Sequence, residues 1–351
     1  MGRLYRFAER PGEVPPAILR PFMGGADAPF NIRPRDFVLG VTKPGPTNTG
    51  VLPGSALTTV SGDITVTTPN TTLENLDIHG RIFARALNLT IRNCRIRGLG
   101  TPAGANLVEC LRSDTSTLLV DCTLAPDTPA LSWGNGVFGG DWTALRCDVG
   151  HVVDGFGALS MTGDPAGPTG VKLLGCYFHD FAYFSPDPAH QGQPGAGNDN
   201  ATHNDGIQIH GGSGTIVRGC YFDMTESPYS AVSTGGHPSG GLYGAGITLT
   251  PNQGPVTATL IESNWLDHGS SGVHGIGPYP IAATIRNNRF GPNIAATDLN
   301  GTGLARRAIT FPADPAIADV LDFPASTGPD LLAGNVDEAT GQPTTIWRQN
   351  P

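Results

Sequence analysis

One short phrase recurs along this chain and restricts what it can fold into. Five of the six cysteines hold the same place in it, in RNCRI, VDCTL, LRCDV, LGCYF and RGCYF, as Cys94, Cys122, Cys147, Cys176 and Cys220. In three further copies, ENLDI, ESNWL and RNNRF, that place is taken by Leu76, Asn264 and Asn288. Self-similarity at spacings of about 20–50 residues is typical of repeat proteins, in which each copy is one unit stacked on the next.

The spacing of the copies indicates the size of the unit. From Cys94 to Asn288 the steps are 28, 25, 29, 44, 44 and 24 residues. A step of 24–29 residues fits one coil of three short strands and three turns, and stacking coils about 4.8 Å apart buries a continuous core. Equivalent positions then form ladders, so the five cysteines are expected to stack inside as small apolar side chains. Because a ladder holds side chains parallel, we predict free thiols.

Composition supports an all-β solenoid. The chain contains 49 glycines and 31 prolines, and only 15% of its residues are charged, against about 25% on average. A helical bundle is therefore excluded, and the recurring apolar pattern argues against disorder. The segments NGVFGGD, DGIQIHGG and YGAGITLT, at 135–141, 205–212 and 243–250, predict the strand that precedes the repeated phrase in each coil.

The solenoid is predicted over 51–310, with two insertions. The 44-residue steps contain 181–202 and 225–241, which follow the phrase in adjacent coils and are expected to project from the same side as a binding face. Residues 1–50 are rich in Pro and Arg, lack the repeat and are predicted to be an extended attachment arm. Residues 311–351 are predicted to be an irregular cap, with a last degenerate coil at 331–338.

The pattern resembles the right-handed parallel β-helix of the pectate-lyase-like superfamily, and the predicted hand follows from that resemblance alone. Residues 43–98 resemble the opening of β-helix minor tail proteins of phages that infect actinobacteria, and of some secreted actinobacterial β-helix proteins, through PGPTNTGV, GDITVTTPN, LDIHG and LTIRNCRIRG. The absence of an apolar signal segment near Met1 favours the phage form. The resemblance implies a homotrimeric protein of the virion tail tip, assembled in the host cytoplasm and docked on other tail or baseplate proteins through residues 1–50.

Charge and motifs argue against several kinds of partner. The net charge is −9, Lys43 and Lys172 are the only lysines, and no basic patch suited to a phosphate backbone is visible, so nucleic acid is not expected. No apolar run approaches the ~20 residues of a membrane span, so membrane insertion is not expected. No Cys-x-x-Cys pair or His-Glu-x-x-His motif occurs, so no metal and no cofactor are predicted.

Candidate catalytic residues cluster in NDNATHNDGIQIHGG, at 198–212. Asp199 and Asp205 can act as a carboxylate pair that cleaves a glycan, and His203 or His210 can shuttle a proton. The alternative, favoured for Asp205, is that Asp-Gly only forms the turn before a strand. Of the motifs of polygalacturonase-like hydrolases, only HNDG is partly echoed.

A row of His and Asp side chains recurs just after the phrase, as His179-Asp180, Asp223 and Asp267-His268, and is predicted to be a solvated row of turns.

Aromatic residues in or beside the insertions are candidates for glycan binding, because exposed rings stack on sugars. With one histidine they are Tyr183, Phe184, Tyr229, His237, Tyr243 and Trp265. The alternative is that these rings pack in the core. Three functions remain open: a tail protein that attaches to host envelope glycan, which is favoured; a polysaccharide hydrolase or lyase on the same scaffold; and a purely architectural tail protein.

Overall fold

Three parallel sheets make up the fold. The computed structural model describes residues 37–98, 106–127, 134–185, 202–226, 231–232, 244–294, 309–311, 334–344 and 346–348. The described residues contain no helix, and hence none that is long and apolar enough to span a membrane.

Sheet A consists of ten strands that stack along the axis of the molecule. They are β1 (Thr58–Ser61), β4 (Leu76–His79), β7 (Arg95–Ile96), β10 (Thr123–Leu124), β13 (Asp148–Gly150), β16 (Tyr177–His179), β21 (Tyr221–Met224), β25 (Trp265–His268), β28 (Arg289–Phe290) and β30 (Val336–Asp337).

Sheet B follows in each coil and is stacked in the same way. Its strands are β2 (Ile64–Val66), β5 (Ile82–Ala84), β8 (Val108–Cys110), β11 (Asn135–Gly139), β14 (Asp154–Ala158), β18 (Ile207–Ile209), β23 (Ala245–Leu249), β26 (Ser271–Gly275), β29 (Ile309–Phe311) and β31 (Ile346–Arg348).

Sheet C completes the coil. Its strands are β3 (Thr72–Glu74), β6 (Leu89–Arg92), β9 (Thr117–Val120), β12 (Trp142–Leu145), β15 (Lys172–Leu174), β20 (Ile216–Arg218), β24 (Val256–Glu262) and β27 (Ile281–Arg286), with β19 (Gly212–Ser213) paired to β24. A separate pair joins β17 (Phe184–Ser185) to β22 (Ala231–Val232).

From β1 to β29 the chain thus passes through sheets A, B and C in turn, and strands of successive coils pair in parallel within each sheet. This is the parallel β-helix that the repeat predicts, and it is consistent with the right-handed form. The repeated phrase, treated above as one unit that follows a strand, is in fact two strands from different sheets. In LTIRNCRIRG, β6 belongs to sheet C and β7 to sheet A.

The turn between sheets C and A explains the polar residue before each ladder position. The turn residue has a left-handed backbone, with φ between 50° and 70° in every coil where it is described. These residues are Asn75, Asn93, Asp121, Arg146, Gly175, Gly219, Ser263, Asn287 and Gly334. Asn, Asp and Gly tolerate this backbone best, and they fill seven of the nine places.

The ladder residue after that turn is buried in every copy from Cys94 to Asn335. The cysteines are free thiols, as predicted, and the Sγ of Cys176 accepts a hydrogen bond from the Cys147 N–H at 3.3 Å. Asparagines then continue the ladder: the Asn288 Oδ1 accepts from the Asn264 N–H at 2.9 Å, and its Nδ2 donates to the Ile261 carbonyl at 3.1 Å. Asn335 extends the ladder into the last coil predicted at 331–338.

The two insertions begin side by side. Both leave the coil between sheet A and sheet B, and β17 of the first pairs with β22 of the second. A further bridge joins Phe181 to Glu226. The first insertion is also closed at its base, because Thr202 exchanges hydrogen bonds with Phe184 at 2.9 and 3.0 Å. We call this paired base the insertion pedestal.

The described part of the predicted attachment arm packs on the solenoid. Residues 37–56, here called the strap, lie along the turns between sheets C and A. Leu39 is buried, and a Cβ added at Gly219 would lie 2.7 Å from its Cδ1 and 2.6 Å from the Gly40 nitrogen. Further along, the Gly50 N–H donates to the Arg146 carbonyl at 2.9 Å. Residues 1–36 lie outside the described residues.

The thiol ladder predicts the chemical reactivity of the native protein. Burial raises the pKa of Cys94 to about 11 and that of Cys110 to about 12. We therefore expect almost no reaction with a disulfide reagent at pH 8 in the native state, and six reactive thiols in denaturant. A non-reducing mass measurement that found a disulfide would contradict the ladder.

The asparagine ladder predicts a large loss of stability for Asn288→Leu. The substitution leaves the Asn264 N–H buried without a partner and removes the bonds that the Asn288 amide donates to the Ile261 carbonyl and Asn335 Oδ1, at a cost of about 3 kcal/mol in the free energy of unfolding. Asn288→Cys is the matched control, because the same ladder position carries a thiol in five other coils, and we expect it to lose about 1 kcal/mol. Denaturant unfolding measures both, and equal losses would contradict the role assigned to the amide.

Candidate functional site on the outer face of sheet A

The outer face of sheet A carries a cluster of polar and aromatic side chains from β13, β16, β21 and β25. Side chains alternate along a strand, so Phe178 and Phe222 point into the core while their neighbours point outward. Tyr177 pairs in register with Tyr221, which pairs with Trp265, and Asp223 pairs with Asp267. We call this surface the sheet A face.

Two structural features bound this face. The strap lies at the edge where the chain enters sheet A, and Gly50 is packed so closely that a Cβ there would lie 2.6 Å from Asp148 Cβ. The insertion pedestal lies at the opposite edge, directly after His179 and Asp180 in the chain. The polar side chains therefore lie between two segments that depart from the regular coil.

The first polar group is centred on His179. Its Nε2 lies 2.8 Å from Asp148 Oδ1, and its Nδ1 lies 2.6 Å from Asp180 Oδ2. Burial opposes the charge on the imidazole, but the two carboxylates outweigh it and raise the pKa of His179 to about 9. The hydrogen bond from His179 lowers the pKa of Asp180. At neutral pH the group is a cation held between two anions.

The second polar group is centred on His268. Its Nδ1 lies 2.7 Å from Asp223 Oδ1 and 4.0 Å from Asp267 Oδ2. The contact with Asp223 raises the pKa of His268. Tyr177 donates a hydrogen bond to the other oxygen of Asp223 at 3.5 Å, and burial raises the pKa of this phenol, so it stays a neutral donor.

The residues predicted as catalytic do not form this site. The Asp205 carboxylate is 6% exposed and accepts hydrogen bonds from the Ala245 N–H, Thr248 Oγ1 and Gln208 Nε2 at 2.7–2.8 Å. It lies in the turn before β18, and its own N–H donates to Asp154 Oδ1 at 2.9 Å. These contacts agree with the turn role that the sequence analysis favoured for Asp205.

The other predicted catalytic residues lie apart from the sheet A face. His210 follows β18, and its ring contacts Phe138 edge to face at 5.6 Å while burial lowers its pKa. His203 is exposed just before that strand, and Asp199 lies outside the described residues. Among the described residues, no group of three or more His, Cys, Asp or Glu side chains is arranged to hold a metal ion.

The predicted glycan-binding aromatics are buried wherever the structure describes them. Tyr183 and Phe184 are 2% exposed, and Trp265 is 4% exposed with the Arg289 guanidinium 4.7 Å from its ring centroid. These rings therefore pack, which is the alternative that the sequence analysis left open. Tyr229, His237 and Tyr243 lie outside the described residues.

Two features of the sheet A face become apparent only in the structure. Tyr177 and Tyr221 lie half-buried on the outer face, with ring centroids 5.4 Å apart. The row from His179 to His268, predicted to be solvated turns, forms ion pairs. The available signal was register, because these residues occupy equivalent positions in successive coils.

The raised pKa of His179 predicts a loss of stability in alkaline solution. The stabilisation that protonated His179 adds to the free energy of unfolding is fully present below the pKa of an unfolded histidine, about 6.5. It is lost as the pH rises through the folded pKa of about 9. Relative to His179→Gln, we expect the wild type to lose about 2 kcal/mol of unfolding free energy between these values. Urea unfolding at closely spaced pH values measures the difference. The control is His79→Gln, which removes an imidazole elsewhere in sheet A, and parallel curves for wild type and His179→Gln would contradict the assignment.

Comparisons with known proteins assign no family to this chain. No family model matches it, and neither a curated protein nor a solved structure does. The fold is therefore established by the strand pairing described above, and the sheet A face is the feature that bears on function.

Proposed function

We propose that this chain is a glycan-binding β-helix protein of a phage tail, and that its sheet A face contacts polysaccharide on the host cell envelope. One observation carries the glycan part of the proposal. Carboxylates, imidazoles and phenols are concentrated and half-buried on one face, between the strap and the insertion pedestal.

The chemistry of the face suits sugar hydroxyls. Carboxylates such as Asp223 and the Tyr177 phenol oxygen accept hydrogen bonds from hydroxyls, while His268, whose Nδ1 faces Asp223, donates to a sugar oxygen through Nε2. The side chains are already held by one another: His179 is 22% exposed and Asp223 is 16% exposed. Groups that are ordered before binding lose less conformational entropy on binding.

The shape of the face suits a chain-like ligand. Strands from successive coils are about 4.8 Å apart, so the polar row extends across four coils in one direction. The rings of Tyr177 and Tyr221 stack on each other along this direction. A short stretch of polysaccharide aligned with the solenoid axis would contact one equivalent position after another.

The tail part of the proposal rests on the resemblance of residues 43–98 to phage minor tail proteins. Residues 43–56 of that stretch belong to the strap. Docking on other tail or baseplate proteins is assigned to residues 1–50, of which residues 37–50 also pack on the solenoid. We retain the homotrimer and the virion tail tip as parts of the same proposal.

A polysaccharide depolymerase is the second candidate, and one observation favours it. Asp223 and Asp267 both have an oxygen within 4.0 Å of His268 Nδ1. Two carboxylates on adjacent strands can share the roles of acid and of base or nucleophile in glycoside cleavage. The same experiment tests both candidates when it measures binding and new reducing ends together.

We expect Asp223→Asn to weaken the binding of actinobacterial envelope polysaccharide about tenfold, because it removes a charged acceptor worth about 1.5 kcal/mol. Co-sedimentation with the polysaccharide measures the affinity, and thermal unfolding checks that the variant folds. The control is Asp114→Asn, which removes the exposed partner of Arg112 outside the sheet A face.

The outcomes separate the candidates. Equal binding by wild type and Asp223→Asn would overturn the assignment of the sheet A face, and no binding to any envelope polysaccharide would overturn the function. New reducing ends that disappear in both Asp223→Asn and Asp267→Asn would make the depolymerase the correct function.

A further inference from the structure

Lys43 of the strap reaches across the sheet A face to the last described coil. Its Nζ lies 4.1 Å from the centroid of the Tyr221 ring. The same nitrogen lies 2.9 Å from Glu338 Oε1 and 3.2 Å from Oε2, and Glu338 directly follows β30. One side chain therefore connects the strap, the Tyr221 ring and the last described coil.

Lys43 covers a surface of Tyr221 that no other ring contact occupies among the described residues. Tyr177 stacks on Tyr221 from the preceding coil, with ring centroids 5.4 Å apart and planes at 21°. Glu338 belongs to a later coil, so the ammonium approaches Tyr221 from the other side. The free faces of tyrosine rings are the surfaces on which sugars stack.

The two contacts that hold Lys43 over the Tyr221 ring, an ion pair and a cation–π contact, can break and re-form. The Lys43 and Glu338 side chains are 36% and 28% exposed. Ion pairs and cation–π contacts at such exposure are individually weak and are screened by salt. A ligand that stacks on Tyr221 would replace the cation–π contact and release Lys43 and Glu338 to solvent.

We propose that Lys43 and Glu338 form a clasp over Tyr221, and that bound glycan displaces it to reach a stacking subsite on the ring. This inference rests on the proposed function and adds one subsite and one movement to it. A cover that is closed most of the time lowers the apparent affinity in proportion to the open fraction. Weakening the clasp should therefore strengthen binding, which is the opposite of what the loss of a direct contact does.

The experiment uses the fact that Lys43 and Lys172 are the only lysines. Reductive methylation with ¹³C-formaldehyde labels both lysine amines, and a free N-terminal amine as a separate resonance, and preserves their charge. Lys172 on β15 of sheet C serves as the internal control. In the free protein we expect the Lys43 methyl resonance to be shifted upfield by the Tyr221 ring. Saturation with envelope polysaccharide should remove that shift and leave Lys172 unchanged.

Glu338→Gln tests the clasp without removing a ring. We expect a smaller upfield shift for Lys43 and an affinity for polysaccharide that is two- to fivefold higher than in the wild type. The matched control is Glu74→Gln, which breaks the exposed pair with Arg92 on sheet C and should change neither quantity.

The possible results separate this inference from the proposed function. An unshifted Lys43 resonance in the free protein overturns the clasp, whatever binds. If polysaccharide binds while the Lys43 methyl resonance stays shifted upfield, the displacement is overturned and the proposed function stands. Weaker binding by Glu338→Gln than by the wild type has the same meaning. A shifted Lys43 in a protein that binds no polysaccharide overturns the proposed function, and the displacement with it.

Discussion

The solenoid depends on the buried ladder that follows the left-handed turn between sheets C and A. The turn directs the next side chain inward in every coil, and that side chain has to be small or able to satisfy neighbouring backbone groups. Thiols do this from Cys94 to Cys220, and amides do it from Asn264 to Asn335. Because this corner is the same in each coil, sheet A starts in the same register each time, and its outer face acquires ordered rows.

The sequence predicts the fold well because the residues that recur in the repeat are those that the left-handed turn and the buried ladder require. The cysteine spacing indicates the coils, and the two 44-residue steps locate the insertions. The boundary between two strands within one phrase was missed, since alternation across Asn93 and Cys94 reads the same for one bent strand as for two strands joined by a turn. The sequence also cannot show that residues 37–50 lie back along the coils, because those contacts join residues far apart in the chain.

The candidate site was only partly predictable for a related reason. Asp205 and His210 are conspicuous because they lie close together in a sequence rich in polar residues, yet a turn and an aromatic neighbour account for their contacts. The row on sheet A is spread over more than a hundred residues and comes together only through stacking. Reading equivalent positions across coils, as for Tyr177 and Tyr221, identifies such a row better than local density does.

The strap also imposes an order on folding. Its residues come before the solenoid in the chain, yet Leu39 and Gly40 pack against turns at Gly219 and Ser263, which are made about 180 to 220 residues later. During synthesis these partners do not exist until most coils have left the ribosome, so this end of the strap has to wait undocked while the solenoid grows. Its docking is then a late step that closes a very long loop, and it distinguishes a finished molecule from one whose later coils are missing.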